Sequence, residues 1–206
     1  MHICNAIPLA VLLLAASPLA LAASTTDLSV KGSITPSACA PLISGGGTID
    51  FGKMAAKDLQ AEQYTSLPGQ SLQLSVRCEA PTFFTLTTVD NRAGSSANHA
   101  FWHGLGLTAE GEKLGGAAFH LYAPVADGVA VRTITSMDGG MTWLPTSLLT
   151  HTMLTAIARG NQLVPIAVRD FDAQIRLYTH IAPADSLTLT DEVPVDGHAT
   201  VQVTYL

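Results

Sequence analysis

Ala199-Thr200-Val201-Gln202-Val203-Thr204-Tyr205-Leu206 closes the chain, and its reading decides the fold. Ala199, Val201, Val203 and Tyr205 fall on one side of an extended backbone, while Thr200, Gln202, Thr204 and Leu206 fall on the other. A period of two is the mark of a strand with one face against a core. The alternation recurs upstream. Leu72, Leu74, Val76 and Cys78 share a face, as do Phe119, Leu121 and Ala123, then Val129 and Val131, then Ile175, Leu177 and Ile181. Leu28, Val30 and Ile34 alternate in the same way near the start. Turn residues separate these runs, among them Gly45-Gly46-Gly47, Pro68-Gly69, Asp127-Gly128, Asp138-Gly139-Gly140 and Asp196-Gly197. One stretch, Ala55 to Gln63, suits a short helix. Many short strands with few helices predict an all-β chain folded as an antiparallel sandwich. No internal repeat or linker interrupts it.

The totals agree with that class. Of 206 residues, 48% are hydrophobic and only 13% are charged, against about 25% charged in an average soluble protein. The net charge of −6 argues against nucleic acid and anionic membrane surfaces, which select basic patches. Ile7 to Ala22 carries no charge and ends in Ala20-Leu21-Ala22, small residues at the positions a signal peptidase reads. We therefore expect a secretory signal peptide over residues 1–22 and a single domain over residues 23–206. The run is too short, and too interrupted by Pro8 and Pro18, for a membrane span, and no later run is long enough. Its first residues lack Lys and Arg and offer only His2. Cleavage removes Cys4 and leaves Cys39 and Cys78 in an oxidising compartment, where one disulfide is expected. Closing a loop of about 40 residues stabilises by roughly 4 kcal/mol in the chain-entropy treatment.

The order of these elements resembles the chaperone–usher pilin family, whose fold is an immunoglobulin-like sandwich. Leu28 to Ile34 followed by Cys39 looks like the first pilin strand and its cysteine. Ile49-Asp50-Phe51-Gly52, Leu59, and Leu72 to Cys78 look like the next strands and the partner cysteine, and the penultimate Tyr205 ends an alternating strand as pilins do. Pro165 to Leu177 is compatible with the strands before it, whereas the middle, from Asn91 to Arg159, matches poorly. More narrowly, the chain is similar to a family of uncharacterised fimbrial-like secreted proteins. These share Thr35-Pro36-Ser37-Ala38-Cys39, Asp90-Asn91-Arg92-Ala93-Gly94, a Ser-Asp-Gly-Gly-Trp turn and a C-terminal Asp-Gly with Tyr-Leu.

The resemblance implies a sandwich that lacks its last strand. A periplasmic chaperone lends a strand to the gap, and a neighbouring subunit's N-terminal extension later replaces it under the control of an usher. Ala199, Val201, Val203 and Tyr205 then line the gap, and the Leu206 carboxylate enters a basic cleft of the chaperone. Location in the periplasm or in a surface fimbria, and a role in adhesion, follow from the same likeness. Ala23 to Asp27, the expected donor segment, is short and almost free of apolar residues. Three readings accommodate that departure: a subunit that caps or starts a fibre, donation of Leu28 to Ile34 itself, or a periplasmic binding or regulatory protein that does not polymerise. A carbohydrate-binding tip adhesin is a further alternative, with a host or surface glycan as partner.

Motifs that suggest chemistry read as structure. Ser136, Asp138, Gly140, Thr142 and Trp143 fit the Asp-box pattern found in sialidases. Asp138 can accept backbone N–H groups across a turn while Trp143 packs beneath, which builds a hairpin corner. Sialidases repeat the box on a propeller; this chain has one copy and is too short for six four-stranded blades. Its arginines at 77, 92, 132, 159, 169 and 176 are scattered. His99 and His103 have the i, i+4 spacing of a helical metal pair, but Gly104 and Gly106 disfavour a helix there, so solvated loop histidines and no metal are expected. Phe101, Trp102 and Trp143 could form an aromatic sugar platform, and Trp102 and Trp143 are the candidate glycan contacts. Asp90, Asp170, Asp172, Glu192 and Asp196 are the carboxylates that a glycosidase would need, yet nothing in the sequence brings two together, and Asp170 to Asp172 reads as a loop. With no Gly-x-Ser-x-Gly elbow and no phosphate loop, neither an enzyme nor a cofactor is expected.

Overall fold

The computed structural model describes Ser29 and residues 38–206. The expected signal peptide, the Ala23 to Asp27 segment and the remainder of the expected first strand lie outside the described residues. The chain divides into two units, residues 1–34 and 35–206, and the fold below is that of the second.

Thirteen strands follow in chain order: β1 Cys39–Ile43, β2 Thr65–Ser66, β3 Gln70–Thr82, β4 Phe84–Asp90, β5 His103–Gly104, β6 Gly115–Ala126, β7 Val129–Ala130, β8 Arg132–Ser136, β9 Leu144–Pro145, β10 Leu148–Leu149, β11 Leu154–Ala158, β12 Val168–Ile181 and β13 Ala199–Tyr205. They form two sheets. The larger runs β1-β3-β12-β6-β10, with β2 on β12 and β5 and β7 on β6; the smaller runs β13-β4-β11-β8-β9. Every ladder between named strands is antiparallel. The protein is therefore an all-β antiparallel sandwich.

Alternation explains the packing. Leu74 and Val76 of β3 and Phe171, Ala173 and Ile175 of β12 point inward from the larger sheet, and Phe84, Leu86 and Ile157 meet them from the smaller one. Phe84 and Phe171 cross edge to face, with ring centroids 6.4 Å apart, a geometry that aromatic quadrupoles favour. Between β3 and β4 a single residue, the half-exposed Phe83, carries the chain from one sheet to the other. Cys39 and Cys78 sit directly opposite in the β1–β3 ladder and are joined by the expected disulfide.

Two expectations are corrected. Ala55 to Gln63 is not a helix; it holds one 3-10 turn at Ala56–Asp58. Its backbone finds partners elsewhere: the Gln60 N–H donates to Thr65 Oγ1 at 2.8 Å, and the Gln60 and Ala61 carbonyls accept from Ala184 and Asp185. Once those groups are used there is nothing left to continue a helix. Asp170 to Asp172 is not a loop but part of β12, because the buried Phe171 between them holds the inward position.

Candidate functional site

The edges of the two sheets meet at one corner. β1 is an edge strand of the larger sheet and β13 of the smaller. The Cys39 N–H donates to the Tyr205 hydroxyl at 2.9 Å, which ties the two edges together. Away from that corner they part, and a cleft of about 860 Å³ opens toward Ile43 and Ala199. Leu72, Phe119, Ile175 and Leu177 line it from the larger sheet, and Ala199 and Val201 from the smaller. Its mouth carries Asp50, Asp191 and an exposed ion pair between Lys53 and Glu192 at 2.9 Å.

β13 contributes Ala199 and Val201 to the cleft, and the rest of the strand continues past it. Val203 lies opposite Leu86 in the ladder and on the same face, yet Leu86 is fully buried while Val203 is half-buried. Val201 is half-buried too, Tyr205 is 38% exposed and Leu206 56%. Tyr205 turns its hydroxyl to Cys39, and the Leu206 N–H donates to the Phe83 carbonyl at 3.1 Å. Among the described residues no strand pairs with the outer edge of β13. An apolar face and a row of backbone donors and acceptors are thus presented together, a combination that templates another strand.

The Asp-box residues form the β8–β9 corner. Ser136 Oγ donates to Asp138 Oδ1 at 2.6 Å and accepts the Gly140 N–H at 2.8 Å. Asp138 also accepts the Thr142 N–H at 2.9 Å and the Thr142 hydroxyl. These donors, Ser136 first, hold the Asp138 carboxyl at about 2. Gly139 and Gly140 both take positive φ, 73° and 96°, where a side chain is strained. Trp143 packs on Ile134, Ala156 and Ala158.

Trp102 lies in other company. Its indole stands 4.8 Å from the His180 ring and 5.9 Å from that of His99. The two tryptophans share no neighbour among these contacts, so they do not form one platform.

The histidine pair is also corrected. His99 is exposed, but His103 is only 2% exposed. Its ring lies 4.4 Å from Phe119, and its Nε2 shares a 2.7 Å hydrogen bond with Thr88 Oγ1. Burial, reinforced by His151, lowers its pKa to about 4. Nearby, Asp90 accepts from the Arg92 and Gly104 N–H groups at 2.9 and 3.0 Å, and Arg92 pairs with Asp196. The Asp90-Asn91-Arg92-Ala93-Gly94 motif is thereby a folded corner that fixes the turn before β13. No sequence signal pointed to this buried group, because Thr88, His103, Phe119 and His151 come from four separate segments.

The remaining carboxylates are held by cations. Asp170 and Asp172 share Arg77, at 3.5 and 2.8 Å, and the bond to Arg77 holds the Asp172 carboxyl below its ordinary value. Glu192 pairs with Lys53. Among the described residues no three His, Cys, Asp or Glu side chains converge as a metal site, and no helix is long and apolar enough to cross a membrane.

Comparison with known proteins adds the following. Residues 28–101 match a family described as a protein of unknown function, DUF1120. That segment contains β1, β3, β4, both disulfide cysteines and the Asp90 corner. The chain is 24% identical over 249 residues to Protein GltF of Escherichia coli (strain K12), across 99% of this chain and 96% of that protein. It is 30% identical over 74 residues to the uncharacterised protein YhcF of the same organism, across 36% of this chain and 31% of that one.

Proposed function

We propose that the protein is an exported fimbrial-like subunit whose sandwich is completed by a strand from another molecule, first a periplasmic chaperone and then a neighbouring subunit delivered through an usher. The observation that carries this reading is the half-buried inner face of β13 beside a cleft of about 860 Å³. A complementing strand supplies both things that corner lacks: backbone partners for the β13 edge and alternating apolar side chains for the cleft. The resemblance at Thr35 to Cys39 and at the Tyr205 terminus supports the same reading.

The test is expression of residues 23–206 in a bacterial periplasm, alone and with a periplasmic pilus chaperone. Alone, the protein should oligomerise or be degraded. With the chaperone it should purify as a one-to-one complex, and the β13 amides should exchange with solvent far more slowly. A lone, stable monomer whose β13 amides are already protected along both edges would refute strand complementation. The reading of a periplasmic protein that does not polymerise would then stand.

A further inference from the structure

The outer face of the larger sheet carries a second feature, independent of the cleft. Along β12, Arg176, Tyr178 and His180 point away from the core, opposite the inward Ile175, Leu177 and Ile181. Arg176 lies 4.4 Å over the ring of Tyr122, a neighbour on β6. The Tyr122 and Tyr178 hydroxyls meet at 3.0 Å. Among the described residues no carboxylate pairs with Arg176; Asp172, on the same face, is held by Arg77 and Ser75. In a chain of net charge −6 this is a cation left without its counter-charge.

Two positions further along the strand the face becomes an aromatic step. His180 is flanked by the Trp102 indole at 4.8 Å and the Tyr64 ring at 6.4 Å. Gly116 faces His180 across the β6–β12 ladder. A Cβ there would stand 3.4 Å from the Trp102 ring and 3.1 Å from Asn98 Oδ1, so the missing side chain lets the indole lie against the sheet. Asn98 Oδ1 is itself buried without a hydrogen-bond partner. From Arg176 to His180 the face runs about 13 Å, four residues at about 3.3 Å each.

We propose that this face binds an acidic oligosaccharide, with the carboxylate of one sugar on Arg176 and the Tyr122–Tyr178 hydroxyls and the ring of another stacked on Trp102 and His180. Guanidinium is suited to bidentate carboxylate recognition. Indole and imidazole faces suit the C–H face of a pyranose. The outward residues beside them on β3 and β12, Ser71, Gln73, Ser75 and Gln174, are hydrogen-bonding and not aliphatic. That composition fits hydroxyl-rich ligands and not the apolar centre of a protein interface, and the net charge opposes nucleic acid.

The chain has two tryptophans, so a Trp143→Phe background leaves Trp102 as the sole indole reporter. In that background, trigalacturonate and its methyl ester, and sialyllactose and lactose, are titrated against Trp102 fluorescence. The expected result is quenching by at least one acidic sugar with at least tenfold preference over its neutral counterpart. Arg176→Gln should abolish that preference, Arg176→Lys should restore part of it, and Trp102→Ala, followed by calorimetry, should weaken binding about tenfold. Circular dichroism confirms that each variant is folded. No response to either acidic sugar, equal response to the neutral ones, or binding indifferent to Arg176→Gln overturns the proposal.

Discussion

Val203 and Leu86 are ladder partners on one face of the smaller sheet, and truncating each to alanine separates an open sandwich from a closed one. Leu86 is fully buried in the core, so Leu86→Ala should cost about 3 kcal/mol, within the usual 2–5 for such a cavity. Val203→Ala removes two methyl groups, worth about 1.6 kcal/mol if fully buried at about 0.8 each. Val203 is half-buried on this edge strand, so about 0.8 kcal/mol is expected in the uncomplemented protein. A strand laid along β13 completes that burial and raises the cost to about 2 kcal/mol once the new cavity is included. The perturbation should therefore be small in the isolated subunit and more than double in the chaperone complex. Urea midpoints of the two variants, with and without chaperone, measure both values. In heat denaturation each kcal/mol moves the midpoint by about 2–4 °C in a domain of this size. If Val203→Ala already costs about 2 kcal/mol in the lone subunit, the inner face of β13 is closed in cis and the reasoning fails.

Three further outcomes follow. Replacing Cys39 and Cys78 together by serine frees a 39-residue loop and should cost about 4 kcal/mol, lowering the thermal midpoint by about 8–16 °C; an unchanged midpoint refutes the entropic account of the bridge. His103 titrates at about 4 in the fold, against an ordinary 6.5. Between those values the unfolded chain binds a proton that the native state does not, so stability should fall as pH drops from about 6.5 to about 4 and level off below. His103→Asn should flatten that slope in urea titrations at stepped pH; a slope that persists unchanged assigns it to other groups. Asp138→Ala removes the acceptor of the Thr142 N–H and hydroxyl, so Trp143 emission should shift to the red and Thr142 amide exchange should quicken. A hairpin that keeps both signals is not held by Asp138.

The elements that carry the sandwich were legible because alternation is a local property. β13, the core of β3 and the inward row of β12 can each be read within eight residues, and the disulfide followed from the two cysteines that the expected signal cleavage would leave. What failed was set by partners distant in sequence. Ala55 to Gln63 has helix-compatible residues, but Thr65 and the 184–185 backbone take its polar groups. Asp170 and Asp172 read as loop because two carboxylates flank one aromatic; Arg77, on a strand almost a hundred residues earlier, makes that arrangement acceptable in a sheet. His103 looked solvated because two glycines follow it, and only Phe119 and Thr88 make it a core residue. The cleft was anticipated only through the family resemblance, since an unfilled space leaves no signature in the residues around it.

β12 links the two proposed sites by the same period of two that revealed it. Its odd-numbered residues Ile175 and Leu177 line the cleft, and its even-numbered residues Arg176 and Tyr178 form the outer face. A strand received between β1 and β13 enters the interior side of the larger sheet, whereas a sugar on Arg176 and Trp102 approaches from the exterior. Neither ligand needs the side chains that the other uses. A subunit held in a fibre through the first surface therefore keeps the second open to solvent. This is the arrangement a surface polymer needs if each subunit is to present the same binding face along its length. Sharing β12 joins the two sites through its ladders with β3 and β6, which flank both.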